Sequence, residues 1–278
     1  MPESPTTQIL DPRPRPELTD RRSELRGRIA IVTGASRRQG IGAAVCLALA
    51  ARGVDVFFTH WSAYDREMNY AEGGGPAALL EELRDMGVRA EAVEMDLSLP
   101  ESPERLLDSA GQTLGRPSIL VNNAAHSTRD GFERLDASTL DAHYAVNLRA
   151  TALLSVHFAR RFEAGSGGRI VNFTSGQSLG PMVGELAYAA SKGAIEAFTR
   201  TLAAEVGHKG IMVNAVNPGP TDTGWMEEDL ARDLASKFPS GRVGQPEDAA
   251  RIVAFLAGDD AAWITGQIIN SEGGFLRD

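Results

Sequence analysis

The sequence predicts an α/β fold in a single domain, a doubly wound parallel sheet of seven strands with helices on both faces. Two observations carry this. Short apolar runs alternate with helical stretches almost from end to end, and strands regularly spaced by helices build βαβ units whose sheet is parallel. The first run, Arg28-Ile-Ala-Ile-Val-Thr33, is continuously apolar rather than alternating, as expected of a strand covered on both faces.

The elements follow in order. Residues 1–23 carry Pro2, Pro5, Pro12, Pro14 and Pro16 among charges and read as a flexible arm, which leaves 24–278 as the domain. The strand Arg28–Thr33 leads through the turn Thr33-Gly-Ala-Ser-Arg-Arg-Gln-Gly-Ile-Gly42 into a helix running to Arg52. Gly53 stops that helix, and Val54–Thr59 forms the second strand. Helix Pro76–Met86, strand Ala90–Met95, helix Pro103–Gly111 and strand Ser118–Asn122 come next. A long helix, Thr139–Phe162, precedes strand Arg169–Phe173, and helix Ala187–Val206 precedes strand Ile211–Val216. Helices Glu227–Lys237 and Pro246–Ala257 come before the last strand, Gln267–Asn270. Two segments interrupt the rhythm. Trp61–Gly75 is polar and ends in three glycines, reading as a loop. Pro220–Pro239 carries Trp225 and Met226 among acidic residues and reads as a lid over about 220–240. Both leave the C-terminal strand edge, where such sheets bind ligands.

Composition narrows the function classes. A hydrophobic content of 42% allows a sizeable core. A net charge of −9 without a basic stripe argues against nucleic acid. The one cysteine, Cys46, sits in the apolar run Ile41–Ala51 and reads as core, with no intramolecular disulfide available. No run is long enough to cross a bilayer and the N-terminus lacks a basic-then-apolar signal, so the expectation is a cytoplasmic protein with a small-molecule partner, no membrane and no metal.

Tyr188 and Lys192 stand four apart in a helical stretch and so share one face. Ser175 lies just past the strand Arg169–Phe173, within reach of that face. Phenol, ammonium and hydroxyl make a proton-transfer device for a carbonyl or alcohol. The lysine is expected to lower the phenol's pKa, and the serine to hold the substrate oxygen. The glycine turn, placed between first strand and first helix, permits close backbone approach to a pyrophosphate at a helix N-terminus.

These motifs resemble the short-chain dehydrogenase/reductase family over roughly Leu25–Phe275. The resemblance rests on the glycine turn, Asp96, Asn122-Asn-Ala-Ala125, Asn147 in Tyr-Ala-Val-Asn-Leu, Ser175, Tyr188-x-x-x-Lys192, Asn217-Pro-Gly-Pro-Thr-Asp-Thr223 and Ile264-Thr-Gly-Gln with Glu272-Gly-Gly274. Three features depart from the family pattern. The turn between Gly34 and Gly40 is longer than usual, Ala125 stands in place of a glycine, and Glu272 in place of an aspartate.

The resemblance implies a Rossmann-type sheet and hydride transfer between a nicotinamide and a carbonyl carbon. Tyr188 would be the general acid or base, with Lys192 binding the nicotinamide ribose, Ser175 polarising the carbonyl and Asn147 holding a relay water. Gly34, Ser36, Arg37, Arg38, Gly40, Ile41 and Gly42 would meet the phosphates. Thr59, Asp96 and Leu97 would lie near the adenosine, and Asn123, Ala124 and Ala125 near the ribose. Thr223 would touch the carboxamide, and Pro218, Gly219 and Thr221 would also bind the cofactor. The second strand ends Thr59-His60-Trp61 without the carboxylate that binds a ribose 2′-hydroxyl, while Arg37 and Arg38 suit a 2′-phosphate, which favours NADP(H) over NAD(H). His126, Gln177, Glu185 and Trp225 would border the substrate. The pattern is nearest to 3-oxoacyl-carrier-protein reductases. An NAD-dependent secondary-alcohol or sugar dehydrogenase and a non-catalytic NADP-binding regulator are the alternatives. The family likeness also suggests a homotetramer or homodimer.

Overall fold

The computed structural model describes residues 25–68 and 75–277, so the proline-rich arm lies outside the described residues. Its strands are β1 (Ile29–Val32), β2 (Asp55–His60), β3 (Ala90–Glu94), β4 (Ile119–Asn122), β5 (Gly168–Phe173), β6 (Ile211–Asn217) and β7 (Ile268–Asn270). They form one sheet in the order β3-β2-β1-β4-β5-β6-β7, with every neighbouring pair parallel. The chain steps outward from β1 to β3, returns to place β4 on the other side of β1, and steps outward again. That reversal opens a crevice beyond the C-terminal ends of β1 and β4.

The helices are α1 (Ile41–Ala50), α2 (Ser62–Glu67), α3 (Gly75–Asp85), α4 (Ser102–Thr113), α5 (Ala137–His143), α6 (Thr151–Arg161), α7 (Leu186–Val206), α8 (Glu228–Ala235) and α9 (Pro246–Ala257). Because successive strand residues face opposite sides, β1 divides between two cores. Ala30 and Val32 pack with Val45 and Leu49 of α1, Leu79 and Leu83 of α3 and Val253 of α9. Ile29 and Ile31 pack with Leu106 of α4, Leu154 and Phe158 of α6 and Leu202 of α7. Cys46 is fully buried in the first core.

Two sequence expectations are corrected. The segment Trp61–Gly75 is not simply a loop: it contains the helix α2 directly after β2, and α3 begins at Gly75. The expected helix Thr139–Phe162 does run without a break through α5 and α6, but residues Tyr144–Ala150 between them are wound as a π-helix. Such wide turns commonly mark functional positions, and this one carries Asn147. Among the described residues no helix is long and apolar enough to cross a membrane.

Candidate active site

The turn after β1 is built by close backbone approach. Gly34 has φ +71°, and a methyl group there would lie 2.7 Å from the Ala124 Cα; one on Gly42 would lie 2.4 Å from the Gly34 carbonyl oxygen. No side chain but hydrogen fits either place. Asn123 donates to the carbonyls of Thr33 and Gly34, both at 2.9 Å, and the buried Thr59 hydroxyl accepts from Gly34 N–H at 3.1 Å. Both side chains therefore hold the turn itself. Helix α1 starts at Gly40 with no side-chain cap, so the first-turn N–H groups at Ile41 and Gly42 have no capping side-chain acceptor. An uncapped helix N-terminus behind a glycine turn is a donor set suited to a pyrophosphate. Leu97 is buried just past β3, and Asp96 accepts from Ser98 N–H at 2.8 Å.

The two arginines of the turn are engaged differently. Arg38 forks onto Glu82 at 2.8 and 3.0 Å on the exposed surface. Arg37 donates to the Thr223 carbonyl at 2.8 Å, and its Nε lies 4.0 Å from Asp65 of α2. Ser36 accepts from Trp61 N–H at 3.1 Å.

At the other end of the crevice, α7 carries Tyr188 and Lys192 one turn apart. Lys192 is buried and its Nζ donates to the Phe173 carbonyl at 2.9 Å, 5.6 Å from the centre of the Tyr188 ring. The Ser175 hydroxyl acts on the Tyr188 phenol and lies 3.9 Å from the Met182 sulfur. Burial, then the Glu185 carboxylate, push the Tyr188 phenol up to about 12 against the opposing effect of Ser175. Burial brings Lys192 down to about 8. The expectation that the lysine lowers the phenol's pKa is thus corrected: spacing makes the two neighbours, but desolvation moves both towards their neutral forms.

Asn147 is bolted to the strand edge. Its Oδ1 accepts from His126 N–H at 2.7 Å, and its Nδ2 donates to the His126 carbonyl and to Ser191 Oγ, both at 2.9 Å. A row of rings follows. Tyr64 of α2 meets His126 at 5.6 Å, His126 meets His143 edge-on at 4.8 Å, and His143 meets Tyr188 at 6.4 Å. His143 is buried. Its Nδ1 faces the Thr139 carbonyl at 2.8 Å and its Nε2 faces Thr128 N–H at 3.3 Å, which assigns the proton to Nδ1.

Of the sequence-predicted residues, Asn147, Ser175, Tyr188, Lys192, His126 and Glu185 gather around this end. Gln177 does not join them. Its Nε2 donates to the buried Glu196 at 2.5 Å and to Thr174 at 3.2 Å. Trp225 donates to the Thr221 carbonyl at 3.0 Å, while the Thr221 hydroxyl donates to the carbonyls of Pro218 and Gly219, each at 3.2 Å; together they tie down the start of the expected lid. Sequence reasoning missed Tyr64, His143 and Asp130. The buried Asp130 carboxylate accepts from the N–H groups of Leu186 and Ala187, both at 2.8 Å, and from Gly131. It seats the first turn of α7 from 56 residues away, a distance over which no local signal operates. Among the described residues no three potential ligands cluster to hold a metal.

The sequence model of a family described as enoyl-(acyl carrier protein) reductase matches residues 34–276. The uncharacterized oxidoreductase YjdA of Bacillus subtilis (strain 168) is 53% identical over 252 residues, covering 90% of this chain and 97% of that protein. The 3-oxoacyl-(acyl-carrier-protein) reductase FabG of Pseudomonas aeruginosa is 38% identical over 255 residues, covering 90% and 98%. A short chain dehydrogenase from Burkholderia cenocepacia J2315, solved in complex with NADP, is similar with a TM-score of 0.80 at 35% identity, over 91% of this chain and 99% of that one.

Proposed function

The chain belongs to the short-chain dehydrogenase/reductase family of oxidoreductases, which act on CH–OH or C=O groups with a nicotinamide cofactor, and on that premise we propose that it interconverts a ketone and a secondary alcohol with NADP(H), using Tyr188 as proton donor and acceptor. The observation that carries the reading is the placement of Tyr188 and Lys192 one turn apart on α7, with the Lys192 Nζ 5.6 Å from the centre of the Tyr188 ring and Ser175 acting on the phenol.

A dinucleotide bound along the crevice supplies the hydride. The chain's own residues supply the rest. Ser175 holds the carbonyl oxygen, and Tyr188 gives that oxygen its proton as the carbon is reduced, or takes it back in oxidation. A phenol held near 12 stays protonated at neutral pH, as a proton donor must. Lys192, one turn away and cationic below about 8, supplies compensating positive charge as the proton leaves, against the burial that raises the resting phenol. Asn147 fixes His126 beside them. The uncapped start of α1 suits the pyrophosphate. The strand end Thr59-His60, which lacks a carboxylate, together with Arg37, favours a 2′-phosphate, in keeping with the NADP bound by the Burkholderia cenocepacia relative.

The test is NADPH oxidation with a panel of ketones, comparing the natural chain with Tyr188→Phe. Turnover should fall about a thousandfold while NADPH still binds. Turnover retained in the variant would overturn the role.

A further inference from the structure

Helix α2 leaves the sheet beside the nucleotide half of the crevice, yet its Tyr64 reaches the chemical half. The Tyr64 hydroxyl accepts from Ser127 N–H at 3.2 Å, and its ring meets His126 at 5.6 Å. Tyr64 also stands close enough to act electrostatically on the Tyr188 phenol. The next residue, Asp65, faces Arg37 and steadies the helix from its other side. Beneath Tyr64, His126 is fixed through both of its backbone groups by Asn147 and is backed edge-on by the buried His143. Tyr64, His126 and Tyr188 all keep partial exposure, and Tyr64 and His126 are in ring contact.

The charges around these rings are as informative as the rings themselves. Lys192 is buried below Tyr188 and turned to the Phe173 carbonyl. Arg129 lies 3.8 Å from Glu185, whose carboxylate acts on Tyr188. An anionic substrate would meet that carboxylate, whereas an uncharged planar one would meet ring edges and faces, which favour aromatic partners beyond the area they bury.

We infer that Tyr64 and His126 form an aromatic wall of the substrate pocket, with Tyr64 the residue that selects uncharged aryl or conjugated ketones over small aliphatic ones. The inference rests on the reading of Tyr188 as proton donor.

Its test uses the full chain and the variants Tyr64→Ala and Tyr64→Phe. Reduction of 1-phenyl-1,2-propanedione and of 2,3-butanedione is compared at saturating NADPH. Tyr64→Ala should lower kcat/KM for the aryl diketone about tenfold and leave the aliphatic one within about twofold, with NADPH affinity unchanged. Tyr64→Phe, which keeps the ring, should retain the aryl preference. Equal losses on both diketones, or weakened NADPH binding with the preference intact, would overturn the assignment. If Tyr64→Ala does not fold, Tyr64→Leu makes the same comparison. If the natural chain oxidises NADPH with neither compound, the proposed reaction has failed, and the wall is decided by binding alone. Saturation-transfer NMR should then show acetophenone ring protons contacting the natural chain and not Tyr64→Ala. Equal transfer in both would dismiss the wall.

Discussion

Arg37 donates to the Thr223 carbonyl at 2.8 Å, and because β4 and β5 lie between β1 and β6, that bond crosses the crevice. Arg38, its neighbour, is turned outward and forked onto Glu82. The two guanidiniums are adjacent in sequence and distinct in role. Arg37 turns inward to the Thr223 carbonyl and lies 4.0 Å from Asp65, whereas Arg38 would have to leave a bidentate partner to meet a phosphate. Removing Arg37 should therefore weaken NADPH binding about tenfold relative to NADH, the scale of one charge-assisted hydrogen bond. Arg38→Ala should change either affinity by no more than about twofold. Fluorescence titration of both variants with both dinucleotides checks this, and a larger effect at Arg38 would reverse the assignment.

The depressed Lys192 sets the pH dependence of both rate and stability. Tyr188, near 12, remains protonated across the accessible range. Lys192 loses its charge near 8, so kcat for reduction should be level around neutral pH and fall above about 8. The stability effect has the opposite sense. The lysine's folded pKa lies below its ordinary 10.5, so between about 8 and 10.5 the unfolded chain binds more protons than the folded one, and stability rises with pH through that window. Denaturant titrations at several pH values should show the rise in the natural chain and not in Lys192→Met, which should also lack the reductase activity.

The sheet is largely legible in the sequence because several strands hold continuous apolar runs that only a doubly covered strand tolerates, as in Ile29–Val32 and Ile119–Val121. The spacing of Tyr188 and Lys192, and the strand end before Ser175, place three groups together by local geometry alone. The rest depends on contacts made across the fold. Ser62–Glu67 has no apolar face to announce a helix, and its seating comes from Arg37 and Ser127, distant in sequence. Gln177 stands two residues from Ser175, yet the tight turn Gly176–Ser178 swings its amide to Glu196 on α7. The pKa of Tyr188 follows from burial, which spacing does not report. The π-helix at Tyr144–Ala150 is likewise silent in composition; it brings Asn147 to His126 on the neighbouring strand edge.

Asp130 offers the most searching test of how the site is held. Its carboxylate is buried, and burial alone would raise its pKa. The N–H donors of Ala187, Gly131 and Leu186, with His143 nearby, outweigh this and hold it below the usual carboxylate value. Its contribution to stability is accordingly present above the ordinary carboxylate pKa and lost as pH falls through the lower folded value. The two N–H groups it accepts open α7, one and two residues before Tyr188, where a negative charge also favours the helix N-terminus. Asp130→Asn places an amide where one oxygen accepted and should cost about 2 kcal/mol, seen as a lowered Tm at neutral pH. If Asp130 also positions Tyr188, kcat measured well below that Tm should fall about tenfold, a loss of about 1.4 kcal/mol, while NADPH affinity stays unchanged. A purely structural role predicts the lower Tm with kcat intact, and that result would confine Asp130 to stability.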